Sequence, residues 1–459
     1  MRPVLCLLLF TFFLVTCKKS SPPKEPLSSD KEIISFQFRP QENPGLTDTI
    51  NGMITGQVII VSYGGAVPLN ALKPYIIYKG SSINPSSGVE VDFTNYVTYT
   101  VQAEDSSSTQ YRVVVSANKL LYIGSSDGYV YAIDAAIGEQ IWKFNAGGAV
   151  YSNPTLANGI VYVGSTDQHI YAIDSATGTE KWKVHYDRPI NSTPTVSDET
   201  VYLNPYGFVM ALDAETGSEK WRYQTYDHSD FASPTVAEGK VFIQSPLGLY
   251  NTSVLNASTG EWIWGVQGGI GATNPTVVNG VVYIGGEIYK VIALDANTGT
   301  IKWKHDDGDN GSNTCPTVAD GKVFVGGADG SVCAFDAQAG TLLWKKTPYS
   351  SFRWSSPVYG NGLIFLGNTN NINYAFDAAT GNQVWATAST IITRDQPSKA
   401  TVANGTVIFG GHDGNVVAHD ALSGKVKWKF KTGAAVYSGA CIVGVSGEVF
   451  HPGDSGDNN

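Results

Sequence analysis

Residues 160–184 read Ile160-Val-Tyr-Val-Gly-Ser-Thr-Asp-Gln-His-Ile-Tyr-Ala-Ile-Asp-Ser-Ala-Thr-Gly-Thr-Glu-Lys-Trp-Lys-Val, and after a variable loop the chain continues Ser192-Thr-Pro-Thr-Val. Period-2 alternation marks four short strands here: Pro-Thr-Val, Val-Tyr-Val-Gly, Tyr-Ala-Ile-Asp and Lys-Trp-Lys. The unit recurs. Eight times a Gly is followed four residues later by a Trp, at Trp142, Trp182, Trp221, Trp264, Trp303, Trp344, Trp385 and Trp428. A unit of about forty residues cannot bury a core alone and must stack on its neighbours. Four short strands per unit make a propeller blade, so the spacing predicts an all-β chain whose main body is an eight-bladed β-propeller.

Working outward from the Trp, each neighbouring residue type has a place. Pro154, Pro194, Pro234, Pro275, Pro316 and Pro357 fall in the same strand of their units, and Ala400 and Ala440 take that place in two others. A residue that cannot donate to a ladder is confined to a sheet edge, so this strand is expected innermost, around the central channel. The Gly before each Trp sits in a turn between third and fourth strands, written Asp-Ala-x-x-Gly in most copies, where positive φ is needed. The Trp, apolar with one N–H, suits a wedge between blades whose indole nitrogen meets a carbonyl. The repeat opens on Leu120-Leu-Tyr-Ile-Gly and its last inner strand is Tyr437-Ser-Gly-Ala-Cys-Ile-Val, so both ends of the chain are expected to build the first blade. Such closure removes an exposed edge. Glu448-Val-Phe-His is similar to a further second strand and is expected to cap the seam. The fourth blade departs most, with Asn256 in place of Asp.

The pattern closely resembles the pyrroloquinoline-quinone-type repeat, in which a docking Trp staples adjacent blades of an eight-bladed propeller. The resemblance covers essentially residues 119–445. Quinone-dependent alcohol and sugar dehydrogenases share that repeat, and they carry a vicinal Cys-Cys pair and an acid and amide set that holds calcium. No two Cys are adjacent in this chain, and no positions match the calcium ligands or the catalytic Asp. Function is not inherited from a fold alone. The expectation is therefore no enzyme, no catalytic residue and no cofactor. In size, repeat, blade count and anchor the chain is similar to the BamB family of outer-membrane protein assembly factors. That likeness implies a non-catalytic, membrane-anchored interaction scaffold with a protein partner in the cell envelope. The alternative is a periplasmic or surface propeller that binds a glycan or peptide.

The N-terminal segments extend this picture. Residues 1–17 read as a signal peptide, Met1-Arg2-Pro3 followed by an apolar run that is too short to span a bilayer. The run ends in Leu14-Val15-Thr16-Cys17, which resembles a bacterial lipobox and implies lipidation of Cys17. No acidic residue directly follows Cys17, which by the same resemblance implies the outer membrane, on its periplasmic side. Residues 18–31 are a Pro- and Ser-containing tether, residues 32–117 a compact β module, and residues 118–459 the propeller. In the module, Val97, Tyr99, Val101 and then Tyr111, Val113, Val115 alternate on two strands. This run resembles the immunoglobulin-like β-sandwich modules found near the N-termini of bacterial surface and periplasmic lipoproteins, whose usual role is that of a spacer.

Composition excludes some classes. The formal net charge of −10 leaves no basic stripe for nucleic acid. Cys315, Cys333 and Cys441 are expected as small apolar residues of the interior rather than a bridge or a metal site, and the chain is expected to be monomeric.

The loops joining one blade's fourth strand to the next blade's first are unlike one another and hold most reactive side chains. Candidates for a binding face are His185, Asp187 and Arg188, then Tyr226 and His228, then His305, then Arg353 and Trp354, and finally Arg394. Asp306-Asp307-Gly308-Asp309-Asn310-Gly311 lacks calcium-loop spacing and reads as an acidic turn, and no other residues have metal-ligand spacing.

Overall fold

The computed structural model describes residues 27–63, 67–93, 96–116, 120–225, 232–244, 252–266, 273–286, 291–305, 314–347, 352, 355–370, 372–388, 400–403, 405–443 and 449–450. Among these residues nearly all regular structure is strand, and one short 3-10 turn covers Leu69–Ala71. Chain packing divides into two compact units, Met1–Ile59 with Val67–Val113 and Ile60–Ala66 with Val114–Asn459.

The first unit is a β module. One sheet places Glu32–Phe38 between Ile50–Asn51 and Pro74–Lys79. A second runs in the order Met53–Thr55, Val58–Ser62, Ser108–Ser116, Val97–Gln102, Ser82–Asn84. Period-2 alternation sends Phe36 and Phe38 inward, where they meet Phe93 and Tyr99 edge to face at centroid separations of 5.3 to 6.2 Å. Edge-to-face pairing adds to the stabilisation from burying these rings.

The second unit is the propeller: seven four-stranded antiparallel sheets and one five-stranded sheet. Blade 2 shows the pattern, running outward from the axis as Thr155–Ala157, Ile160–Gly164, His169–Asp174 and Glu180–His185. The second and third strands are buried almost throughout because both faces are covered by neighbouring blades. Ile160, Tyr162, Ile170 and Ala172 of blade 2 thus share one apolar cluster with Val201, Leu203, Met210 and Leu212 of blade 3. Each such buried aliphatic side chain contributes about 1.5 to 3 kcal/mol. The outer strand faces solvent and alternates charged with half-buried residues.

The Pro of each unit stands immediately before its innermost strand, and there the blades are hydrogen-bonded to one another. Thr155 Oγ1 donates to the Pro194 carbonyl at 2.5 Å, Thr195 to Pro234 at 2.6 Å, and Thr235 to Pro275 at 2.6 Å. Thr276 and Thr317 continue the ring to Pro316 and Pro357, each at 2.5 Å. Thr401 donates to the Ala440 carbonyl at 2.6 Å, so an Ala in the Pro position serves equally as acceptor.

Blade 1 joins the two ends of the repeat. Leu120–Gly124, Tyr129–Asp134 and Gln140–Asn145 are completed by Cys441–Val443, whose Cys441 lies opposite Tyr122. A fifth strand, Val449–Phe450, differs from its expected role. It lies on the axial side of Cys441–Val443, not in a second-strand position. The reason is topological: Leu120–Gly124 already fills blade 1's second position, and the edge left unpaired beside the returning chain is the one that faces the channel.

Adjacent blades are stapled by one repeated contact. Trp142 Nε1 donates to the Ser175 carbonyl at 3.0 Å, Trp182 to Ala214 at 3.0 Å, Trp221 to Ala257 at 2.9 Å and Trp264 to Ala296 at 3.2 Å. Trp303 donates to Ala337 at 3.0 Å, Trp344 to Ala378 at 3.2 Å and Trp385 to Ala421 at 2.9 Å, and Trp428 closes the circle on Ala135 at 2.8 Å. The Gly before each Trp serves the preceding blade's Trp as well as its own turn. A Cβ on Gly178 would lie 2.7 Å from the Trp142 ring, and one on Gly138 would lie 2.6 Å from Trp428. In four blades a second-strand Tyr reinforces the same carbonyl: Tyr122 Oη reaches Ser175, Tyr162 Ala214, Tyr202 Ala257 and Tyr283 Ala337, at 2.9 to 3.1 Å.

The Asp-Ala-x-x-Gly turns are held by the Asp side chain. Asp213 Oδ1 accepts from the Thr216 N–H and hydroxyl, and Asn256 Oδ1 accepts from the N–H groups of Ser258 and Thr259, so the blade 4 substitution keeps the turn. The Lys302 ammonium beside Asp295 holds that carboxyl down to about 2. Two-residue turns with both φ positive join first to second strands, as at Asn279 (φ 50) and Gly280 (φ 71). These are type I′ hairpin turns, which favour Asn-Gly. Blade 3 places Glu199 (φ 57) where its neighbours have Gly. A non-Gly residue in that region costs about 1 kcal/mol or more. Glu199→Gly is therefore expected to raise the unfolding free energy by about 0.5 to 1 kcal/mol, read as a higher urea midpoint at unchanged slope. A lower midpoint would contradict the strain assigned to Glu199.

Candidate interaction face and axial cavity

Antiparallel blades place their fourth-to-first loops and second-to-third turns at the same end of the disc. Cross-strand register proves it in blade 2, where His169, opening the third strand, lies opposite His185, closing the fourth. The two imidazoles are 4.9 Å apart. His169 escaped sequence reasoning because it sits in a strand-opening position, and only register brings it to His185. Asp167 holds it in place through its backbone carbonyl, 3.1 Å from His169 Nδ1.

Of the predicted face residues, His185, Asp187 and Arg188 are exposed. His185 Nε2 is 3.9 Å from Asp187 Oδ1. The Arg188 guanidinium lies over the Tyr206 ring at 5.0 Å, a cation–π contact that ties the blade 2 loop to the blade 3 turn. His305 packs on Phe335 at 4.6 Å and is thus partly a blade-interface residue. Tyr226, His228, Arg353, Trp354 and Arg394, with the acidic stretch 306–311 and Cys17, lie outside the described residues. Tyr186, between His185 and Asp187, turns inward. Burial pushes its phenol up, and its hydroxyl has no partner among the described residues.

Toward the axis, the residues before each Pro form a second ring. The Asn153 N–H donates to Thr193 Oγ1 at 3.2 Å, the Thr193 N–H to Ser233 Oγ at 2.9 Å, and the Ser233 N–H to Asn274 Oδ1 at 2.9 Å. Below them lies a cavity of about 380 Å³, within the size range of ligand sites. Its walls are Thr, Ser, Asn, Pro and aliphatic side chains together with Cys315. Cys315 departs from expectation here: the thiol is partly exposed because the residue before the Pro looks into the channel, while Cys333 and Cys441 are buried. Among the described residues no disulfide involves any of the three. At the rim, the Tyr151 and Tyr437 rings stand 5.6 Å apart, and His412 packs edge-on to Tyr437 at 4.7 Å.

His419 is a titratable side chain buried in the fold. His419 occupies the third-strand place that Leu212 and Leu294 hold elsewhere. It stacks on Trp385 at 6.0 Å and donates from Nδ1 to the Gly424 carbonyl at 2.9 Å. Burial lowers its pKa from the ordinary 6.5, outweighing the Gly424 bond, and Lys429 lowers it further. A depressed histidine contributes stability that is complete above pH 6.5 and is lost as pH falls through the folded value. His419→Leu is therefore expected to flatten the fall in Tm on acidification below pH 6.5. Parallel Tm-against-pH curves for the two proteins would contradict this.

A family model described as "Outer membrane protein assembly factor BamB" matches residues 97–245, 170–306, 250–355 and 291–448. The chain belongs to the BamB family. A second model, described as "SGBP, N-terminal", matches residues 33–115, so the β module precedes the BamB-type propeller as an addition. No curated protein matches the chain. BamB from Moraxella catarrhalis is 19% identical, with 72% of this chain and 90% of that chain covered at a TM-score of 0.53. Quinohemoprotein alcohol dehydrogenase from Comamonas testosteroni is 17% identical over 64% of this chain and 70% of its own, at a TM-score of 0.52. Apo AztD from Citrobacter koseri is 10% identical over 71% and 98%, at a TM-score of 0.56. Likeness at these identities is likeness of fold, and the propeller carries BamB-family and dehydrogenase neighbours alike.

The dehydrogenase neighbours prompt a fit test for a quinone cofactor. A pyrroloquinoline quinone is a polycarboxylate and needs cationic or metal partners. The described cavity walls supply neither Arg nor Lys, and among the described residues no group of three or more His, Cys, Asp or Glu is placed for a metal. The residues present do not fit that group. Among the described residues no helix is long and apolar enough to cross a membrane.

Proposed function

We propose that this chain is a non-catalytic interaction scaffold of the cell envelope, tethered to the outer membrane through lipid on Cys17 and facing the periplasm. The observation that carries the reading is the chemistry of the axial cavity. Its walls can hydrogen-bond and pack, yet among the described residues they hold no acid–base pair and no cation. Binding is what such walls can do. Family membership supports a protein partner, and the unlike loops around His185 and Arg188 supply the varied surface that partner recognition uses.

Affinity purification of the full-length protein from detergent-solubilised membranes tests the scaffold. Co-isolation of outer-membrane assembly proteins is the expected result, and their absence sinks it. Cys17→Ser should shift the protein from the membrane to the soluble fraction, and unchanged membrane retention would remove the anchor from the reading.

The Tyr151, Tyr437 and His412 cluster at the rim favours a second reading, a propeller that binds a glycan or peptide. Aromatic faces beside neutral hydrogen-bonding groups suit either ligand. Retention on immobilised glycan without any co-purifying protein would favour it.

A further inference from the structure

The innermost strands of a propeller are sheet edges, and an edge strand offers backbone groups to any extended chain that reaches it. In blade 1 that edge is taken. Val449 pairs with Val443 and Phe450 with Ile442, antiparallel, on the channel side of the innermost strand. The same short strand runs beside Thr401–Ala403 of blade 8. The cavity reflects this occupancy, since its walls come from blades 2 to 7 and include no residue of the inner strands of blades 8 and 1.

Among the described residues five cavity-facing inner strands keep the corresponding edge: Thr155–Ala157, Thr195–Ser197, Thr235–Ala237, Thr276–Val278 and Thr317–Ala319 each pair with a strand on their outer side alone. Their leading Thr hydroxyls are engaged with neighbouring Pro carbonyls, so toward the axis these side chains add little beyond their methyl groups. Among the described residues no Lys, Arg, Asp or Glu lines the cavity. A charge brought into it would be buried without a partner, which is costly.

We propose that the axial cavity is a docking site for an extended, uncharged segment of a partner protein. Such a segment takes the place of Val449–Phe450 beside Cys441–Val443 and continues along the open inner edges, so the chain's own last described strand holds part of the site in cis. The inference rests on the scaffold reading and names the surface through which the scaffold holds its partner.

The probe is a fluorescently labelled peptide with the sequence of residues 445–453 in which Glu448 is replaced by Gln, so that it carries no side-chain carboxylate, titrated against the full-length protein and its Val449→Pro variant. Pro cannot sit in the ladder, so the variant frees the edge. A cis segment competes at high effective concentration, and removing it should tighten peptide binding by about tenfold or more. Equal affinity for both folded proteins overturns the proposal, as does absence of saturable binding to the folded variant. Should Val449→Pro lose its β-type circular dichroism, Phe450→Gly replaces it, with a gain of about threefold expected and the same overturning results. A peptide in which Val449 and Phe450 are both Asp is expected not to bind, and equal binding by it also overturns the proposal. Peptide binding with no envelope protein co-isolated would sink the scaffold reading and leave the cavity site standing. Co-isolation without peptide binding would do the reverse.

Discussion

Replacement of Trp428 by Ala lowers the unfolding free energy of the propeller by about 3 to 5 kcal/mol. The indole is 7% exposed and its N–H donates to the Ala135 carbonyl at 2.8 Å, across 293 residues of sequence. Its ring rests on Gly138, where a Cβ would approach to 2.6 Å, so truncation leaves a gap that no side chain at that position fills. Trp303 stands in the same motif but is less fully buried, and its truncation is expected to cost less. Phe substitutions separate packing from hydrogen bonding. In blade 8 the second-strand position holds Ile408, so Trp428→Phe removes the one side-chain donor described for Ala135 O, a loss of about 1 kcal/mol. In blade 5, Tyr283 Oη still donates to Ala337 O at 3.1 Å after Trp303→Phe, and the loss is smaller. Equilibrium urea unfolding resolves both comparisons. A Trp428→Ala loss under about 1 kcal/mol, far below the range for a buried aromatic, or equal costs for the two Phe variants, contradicts the assignment.

The architecture was legible because its determinants are local and repeated. Asp, Gly and Trp recur at fixed offsets, and each offset has a single geometric use, so blade number, the inner strand and closure by Tyr437–Val443 follow from spacing. Three features were hidden, two of them because they join residues of different blades. Spacing within one repeat says that Gly178 needs positive φ, but only the assembled disc shows it to be the floor beneath Trp142. Likewise Tyr122 and Trp142 share the Ser175 carbonyl, a pairing that three-dimensional closeness alone creates. Val449–Phe450 has strand-forming residues, and the sequence cannot say which of two edges such a short piece takes. The face was less legible than the fold. His185 and Arg188 are where loop position puts them, whereas the His169 partner of His185 and the cation–π partner Tyr206 depend on register and on the adjoining blade. Polar loop residues read as candidates one by one, since nothing in their order constrains what they touch.

The shared role of the docking Gly makes a second large effect separable into its parts. Gly340 (φ 71) and Gly321 (φ 68) belong to blade 6 and have nearly the same backbone conformation. Their surroundings differ. A Cβ on Gly340 would lie 2.5 Å from Trp303 Cδ2 and 2.6 Å from Cε3, while one on Gly321 meets nothing within 4 Å. Gly321→Ala therefore measures left-handed strain alone, about 1 to 2 kcal/mol. Gly340→Ala carries the same strain and in addition overpacks the indole, for about 2 to 5 kcal/mol in all. The excess belongs to the Trp303 ring and should vanish with it. In a Trp303→Ala background, Gly340→Ala is expected to cost no more than Gly321→Ala, giving a coupling energy of about 1 to 3 kcal/mol in the double-mutant cycle. If the two Gly substitutions cost the same in the unaltered chain, Gly340 is a turn residue alone. If the excess persists without Trp303, it arises from some contact other than the staple. Additivity at this pair would mean that the Gly-to-Trp spacing fixes the turn within a blade and contributes nothing to the fit between blades.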